Sequence, residues 1–183
     1  DIPKLKVINA GTTGAITLSD TTVALSGDAT DLALALAGSV NHTGAVTVTD
    51  SDYTVAELTA IAGGTSGSIK LNDTTVALSG DATDLETIFG ETITPHTGAV
   101  TVTDSAYTVA ELTAIAGGTS GSIKLNDTTV ALSGDATDLE TIFGETITPH
   151  TGAVTVTDSA YTVAELTAIA GGTSGSIKLN DTT

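Results

Sequence analysis

Three histidines, His42, His96 and His150, stand 54 residues apart, and each opens the run HTGAVTVTDS. Histidine is the side chain best suited to acid–base work or metal ligation near neutral pH. Seven aspartates recur with the same regularity. Asp50, Asp104 and Asp158 close one apolar run, and Asp20, Asp73, Asp127 and Asp181 close another. Carboxylates in register could hold a hard divalent cation such as calcium, which takes six to eight oxygen ligands. On that reading Asp50, Asp73, Asp104, Asp127, Asp158 and Asp181 are the calcium candidates. The competing reading is that each Asp accepts hydrogen bonds from its own turn. The nonapeptide calcium pattern GGxGxDx is absent, which favours the turn. One His per unit does not assemble a zinc site, which needs four converging ligands. The expectation is a junction residue that hydrogen-bonds locally.

Ser, His and Asp occur together, but in identical sets in every unit. Catalysis needs one pocket with asymmetric surroundings, so no enzyme is expected and no catalytic residue is assigned. Thr47 and Thr49 form an outward pair that recurs in each unit. A flat threonine array could order water, but Lys70 and Asn72 interrupt it if the two halves of the unit stack in turn. Tyr53, Tyr107 and Tyr161 could form a sugar-binding stripe. Their place beside a helix start favours packing.

The elements that must carry these residues follow from the repeat, which is the first thing to seek in such a chain. Residues 42–95 and 96–149 differ only at Asp52 against Ala106, and 150–183 repeats the start of the unit. Within the unit, GAVTVTD (44–50) and GSIKLND (67–73) share one pattern, glycine, alternating apolar positions, then aspartate. That alternation is the period of a half-buried strand. TTVALSG (74–80) carries Val76 and Leu78 at the same spacing and reads as a third strand turning back at Asn72–Asp73. Thr54-Val-Ala-Glu57 is a capping box opening a helix that Gly63–Gly64 ends, with Tyr53 and Leu58 as a hydrophobic staple. Asp81-Ala-Thr-Asp84 opens a second short helix over Leu85, Ile88 and Phe89.

Such a unit cannot bury its apolar side without neighbours. The expected fold class is therefore α/β, a repeat solenoid of strand–short helix units with a parallel sheet, curved or superhelical. The domain reading is an N-terminal arm with the first strand (1–22), a diverged repeat (23–75), a repeat (76–129), and a repeat with an open C-terminal end (130–183). In the arm, Leu5 and Val7 alternate with Lys4 and Lys6, which suggests a strand. This strand is expected to add to the exposed edge of a second copy at Ile177 and Leu179, giving head-to-tail self-association.

Composition narrows the partners. The chain has 22 acidic residues against five lysines, for a formal charge of −17, and no cysteine. Phosphate contacts need basic residues, so no nucleic acid is expected. No apolar run is long enough to span a bilayer, so no membrane insertion is expected.

The run GAVTVTD-SDY-TVAELTAIAGGTSGSIKLND resembles repeats of very long secreted bacterial proteins, those of cyanobacteria among them. Those repeats combine a VTVTD strand, a TVAQLTAI-like helix and an SGTxxYxxxD strand. The likeness covers most of 11–183, with IKLND here where an aromatic strand is frequent there. Such proteins are cell-surface adhesins, surface-layer components or giant proteins without assigned role. The resemblance implies a secreted or cell-surface structural protein in many copies and supplies no catalytic residues. The expected function is a self-assembling surface filament or layer. The alternatives are the stalk of a giant adhesin, and a calcium- or carbohydrate-binding module that meets surface polysaccharide.

Overall fold

The computed structural model of the chain describes residues 1–37 and 41–180. Its elements alternate as the repeat predicts. Helix α1 (Ile2–Gly11) precedes β1 (Leu25–Gly27), α2 (Ala29–Leu36), β2 (Val46–Val48), α3 (Val55–Gly64) and β3 (Ile69–Leu71). The next unit gives β4 (Leu78–Gly80), α4 (Ala82–Phe89), β5 (Val100–Val102), α5 (Val109–Gly118) and β6 (Ile123–Leu125). The last gives β7 (Leu132–Gly134), α6 (Ala136–Gly144), β8 (Val154–Val156), α7 (Val163–Gly172) and β9 (Ile177–Leu179).

The class is α/β. The strands form three parallel sheets, ordered β1-β2-β3, β4-β5-β6 and β7-β8-β9. Successive strands in a sheet are joined through a helix, as parallel pairing requires. Each helix packs against the one before it and the one after it in the chain. Valines and isoleucines suit these pleated, half-buried positions. Val46, Val48, Val100 and Val102 are fully buried between sheet and helices. The partners Ser26, Thr47 and Lys70 lie side by side in register on the opposite face. Lysine thus interrupts the threonine row, as the alternate stacking of halves predicts.

The helix starts match their sequence signals. The Thr54 hydroxyl accepts from the Glu57 amide, and the Glu57 carboxylate accepts from the Thr54 amide. The same reciprocal box opens α5 and α7. Asp81 caps α4 by accepting from the Asp84 amide. Helix α3 runs through Gly63 and Gly64, and Thr65 ends it.

Three expectations change. The arm is a helix, not a strand. Asp1 caps it by accepting from the Lys4 amide, and Pro3 lies in its first turn, where a missing N–H goes unnoticed. Ile2 and Leu5 are buried on the three-residue spacing of a helix face, while Val7 is exposed. The alternation of Leu5 and Val7 was too short to exclude the helical period. Second, residues 14–20 form no strand, and only Ile16 makes a bridge. Third, β3 and β4 do not form a hairpin. Ile69 bridges forward to Ile93 in parallel, and Leu78 pairs with Val100 in the next sheet.

The 53-residue spacing that matches Asp20 to Asp73 extends back through the arm. Shifted by 53 positions, Leu5 falls on Leu58, Ile8 on Ile61, Thr12 on Thr65, Leu18 on Leu71 and Asp20 on Asp73. Structure agrees with this register. A methyl group on Gly27 would lie 2.9 Å from Ile2 Cδ1, and one on Gly80 would lie 2.7 Å from Val55 Cγ1. The Leu18 amide donates to Asn41 Oδ1, and the Leu71 amide donates to Thr94 Oγ1. Helix α1 is therefore the counterpart of α3, α5 and α7.

Candidate functional site

The histidines lie at the junctions between successive turns of chain, and they are buried. His42 is 2% exposed, and His96 and His150 are 0% exposed. Each is fixed by backbone pairing first. His96 bridges Thr119 in parallel, its amide donates to the Gly118 carbonyl, and its carbonyl accepts from the Ser120 amide. His150 repeats this with Thr173, Gly172 and Ser174.

The ring then spans three layers. Nε2 of His42, His96 and His150 lies 2.8, 2.9 and 2.8 Å from the carbonyl oxygens of Val23, Val76 and Val130. Nδ1 lies 2.9, 3.3 and 3.3 Å from the hydroxyls of Thr65, Thr119 and Thr173. A carbonyl only accepts, so Nε2 carries the proton and Nδ1 accepts from the threonine. Each threonine oxygen accepts in turn from a glycine amide, Gly67, Gly121 or Gly175. The Phe89 ring leans on His96 and that of Phe143 on His150, with centroids 5.8 Å apart in both pairs.

Burial away from water holds His96 and His150 below the ordinary histidine range. The hydrogen bonds to Val76 and Val130 and the charges of Asp73 and Asp127 pull the other way without overcoming it. The threonine could turn to accept from a protonated Nδ1, because its hydroxyl also reaches the histidine's own carbonyl, at 3.2 Å in Thr119. Desolvation, not a missing partner, is what disfavours the cation. In His96 and His150 the neutral ring is locked between a carbonyl that accepts from Nε2, a hydroxyl that donates to Nδ1 and a phenylalanine, which leaves no open face for a substrate or metal. Its chemistry is that of a clasp.

The aspartates divide into two jobs. Asp50, Asp104 and Asp158 each accept from the first helical amide of the preceding helix, those of Ala29, Ala82 and Ala136, at 2.9, 3.0 and 2.9 Å. They complete caps already begun by Asp28, Asp81 and Asp135 and satisfy a second orphan amide. Negative charge there also suits the helix dipole. Asp104→Ala is expected to cost about 1 kcal/mol, read as a lower urea midpoint, with Asp104→Asn keeping most of it.

Asp20, Asp73 and Asp127 close turns instead. Each accepts from the amide and the hydroxyl of the threonine two residues on, Thr22, Thr75 and Thr129. These bonds hold all three carboxyls below the usual range. The aspartates singled out for calcium are thus engaged with the chain's own backbone. Asp181 lies outside the described residues. Among the described residues, no group of three or more His, Asp or Glu is arranged to hold a metal ion.

The tyrosines pack. Tyr53 and Tyr107 are 3% exposed, and their hydroxyls donate to the Asp73 and Asp127 carbonyls at 2.5 Å. Burial first, then Asp73 and Asp50 for Tyr53, and Asp127 and Asp104 for Tyr107, push both phenols up to about 12. Each tyrosine ties the entry of one helix to the turn after the next strand. No sugar-binding stripe forms at Tyr53 and Tyr107.

A second inter-unit tie reuses the capping boxes. The hydroxyls of Thr30, Thr83 and Thr137 donate to the capping-box carboxylates of Glu57, Glu111 and Glu165 at 2.6, 2.9 and 3.1 Å. A capping box predicts one use of its glutamate. The second comes from a helix 27 or 28 residues back.

The assembly residues lie at the two ends. Leu5 packs inside its own chain, Lys6 pairs with Asp31 of α2, and Lys4 pairs with Asp1 at 3.4 Å. Val7 is 74% exposed. Ile177 and Leu179 are each 37% exposed, whereas their counterparts Ile123 and Leu125 are 2% and 3% exposed. The arm is helical, so it does not present the strand that such an addition would use. No helix among the described residues is long and apolar enough to cross a membrane. Neither a family model, nor a curated protein, nor a solved structure matches the chain.

Proposed function

We propose that the chain is a non-enzymatic structural array, a strand–helix solenoid that works as a spacer in a stalk or coat at a cell surface. One observation carries this reading. The buried polar side chains, His42, Thr65, His96, Thr119 and His150, all hold one turn of chain to the next, and they do so in copies. Reactive side chains are used as mortar, and each unit repeats what the last one does. A repeat of this kind sets length by unit number and keeps its surface uniform. The acidic charge keeps such a surface soluble and self-repelling.

Between the expected modes, a stalk segment is favoured over a filament built by the N-terminal arm. Helix α1 closes on α2 of its own chain, and Leu5 and Lys6 are engaged there. Placement at a cell surface is what the resemblance of the repeat supports.

The test is length. Excising residues 76–129 rejoins Thr75 to Val130 and restores the DTT-VAL junction found at 73–78 and 127–132. Small-angle scattering should give a shorter maximum dimension with an unchanged cross-section. Inserting one further copy should lengthen the particle by the same step. A particle that keeps its length and thins, or collapses to a globule, contradicts the spacer. Antibody labelling of intact producing cells should be as strong as that of broken cells. Labelling only after lysis would remove the surface assignment.

A further inference from the structure

The molecule is electrically two-sided. Of its five lysines, Lys4 and Lys6 pair within the chain, with Asp1 and Asp31. The other three, Lys70, Lys124 and Lys178, are the middle residues of β3, β6 and β9 and make no ion pair among the described residues. Lys70 and Lys124 are exposed between buried neighbours, so they stand on the sheet face that turns away from the helices. Beside them in register lie only small uncharged side chains, Thr47 and Ser26 by Lys70, and Thr101 and Ser79 by Lys124. The helix side has the opposite sign. Every helix from α2 to α7 contains an acidic residue, and none contains a basic one. Glu86 on α4 and Glu140 on α6 are partly exposed beside the buried Leu85 and Leu139, and neither is in an ion pair among the described residues.

We propose that the sheet face of one chain docks on the helix side of a second copy lying alongside it, with the lysine row against the glutamate row. The repeat supplies the match. Lys70 and Lys124 are 54 residues apart, and so are Glu86 and Glu140. Both rows therefore advance by one step per unit, and two copies keep in step whatever the length of that step. An unrelated polyanion has no reason to share it. The contact joins two different faces, so each copy keeps one of each free and the association propagates sideways into a layer. A single exposed pair contributes only about 0–1 kcal/mol, so affinity depends on several units engaging together. At about 0.15 M salt the screening length is about 8 Å, which suppresses repulsion between the acidic bodies and leaves charges in contact. The proposal goes beyond the spacer reading, whose test is particle length.

Sedimentation of the full chain at about 0.15 M salt should show reversible association above roughly 0.1 mM, lost at about 1 M salt. Reversing the lysine row (K70E/K124E/K178E) should weaken association at least about tenfold. Reversing the glutamate row (E86K/E140K) should weaken it as much, although that chain is less acidic than the wild type. Mixing the two variants should restore association, because each then offers the other a face of opposite sign. Restoration on mixing also shows that both variants are folded. A wild-type chain that stays monomeric at about 0.5 mM overturns the proposal. So does E86K/E140K associating more tightly than the wild type, which would make net charge the governing quantity. Two variants that remain monomeric when mixed overturn it as well. Polygalacturonate bound through the lysines by a chain that does not self-associate would make an anionic polysaccharide the occupant and overturn it equally.

Discussion

Gly121→Ala is expected to destabilise the chain by at least about 3 kcal/mol, on the order of 10 °C in melting temperature. A methyl group there would fall inside the van der Waals shell of the Gly98 carbonyl oxygen, with the Gly98 carbonyl carbon 2.6 Å away and Thr97 O 2.9 Å away. All three neighbours are backbone, so no rotamer change relieves the overlap, and the two chain turns must separate. Separation would stretch the bonds that cross between the two turns, those of Thr119 Oγ1 to His96 Nδ1 and to the Gly98 carbonyl. The glycine is present because two backbones approach closely, a recognised use of glycine beside strands. Gly117 is the control. Nothing lies within 4 Å of a methyl group at that helical position. Gly117→Ala should leave stability equal or raise it by up to about 1 kcal/mol. Thermal melts of the two variants separate close packing from a general intolerance of side chains. If G121A melts with the wild type, the turns are not in contact as described.

Stability is expected to fall as pH drops below about 6.5, before the carboxylates titrate. His96 and His150 have folded pKa values held below 6.5 by burial. Their neutral forms are therefore favoured by folding, and this contribution is complete above the unfolded value. Below it, the unfolded chain takes up protons that the folded chain refuses, so stability decreases toward the folded pKa. The slope approaches about 1.4 kcal/mol per pH unit for each histidine. Asp73 and Asp127 have folded pKa values lowered by their threonine bonds. Their contribution is present above about 3.8 and is lost as pH falls further, so it does not enter the higher window. His96→Leu should cost about 1–3 kcal/mol at pH 7.5, because Val76 O and the Thr119 hydroxyl lose their partner. It should also flatten the slope between pH 6.5 and 5 by one proton's share. Urea melts across pH 5–8 measure both effects. A wild-type profile flat over that range, or an H96L profile parallel to the wild type, would remove the histidine clasp.

What could be read from the sequence was what is local and repeated. The capping box at Thr54 and Glu57 lies within one helical turn, so four letters announce it. The strands at Val46–Val48 and Ile69–Leu71 show their alternation directly. Partnerships across units were not legible. His96 sits in the polar run TPHTGAV, which reads as a junction loop whose histidine hydrogen-bonds locally. What buries it is Thr119, 23 residues away, and a phenylalanine from the preceding helix. Asp104 reads as a turn residue, yet it caps a helix whose first amide lies 22 residues earlier. Each partner is visible in the string, but its position depends on the stacking register. The strand pattern at Leu78 was also legible, but not that it would leave β3 and begin a new sheet.

Helix α1 shows a different limit. Ten residues carry both Leu5/Val7 alternation and Ile2/Leu5/Ile8 spacing, and periodicity does not decide between them. The deciding signals were Asp1 before the run and Pro3 in its first turn. So was the 53-residue register, which aligns Leu5 and Ile8 with Leu58 and Ile61. Reading residues 1–10 as a separate arm hides that register.

The claim beneath all of this is that the units stand by leaning on one another. Equilibrium urea unfolding of the full chain beside the chain lacking residues 76–129 tests it most directly. Mutual support predicts a single transition in each, with both the midpoint and the m-value lower in the shorter chain, because stability is a sum of units and junctions and the exposed surface scales with length. Equal midpoints in the two chains, with only the amplitude reduced, would mean that each unit folds by itself, and the account would be contradicted.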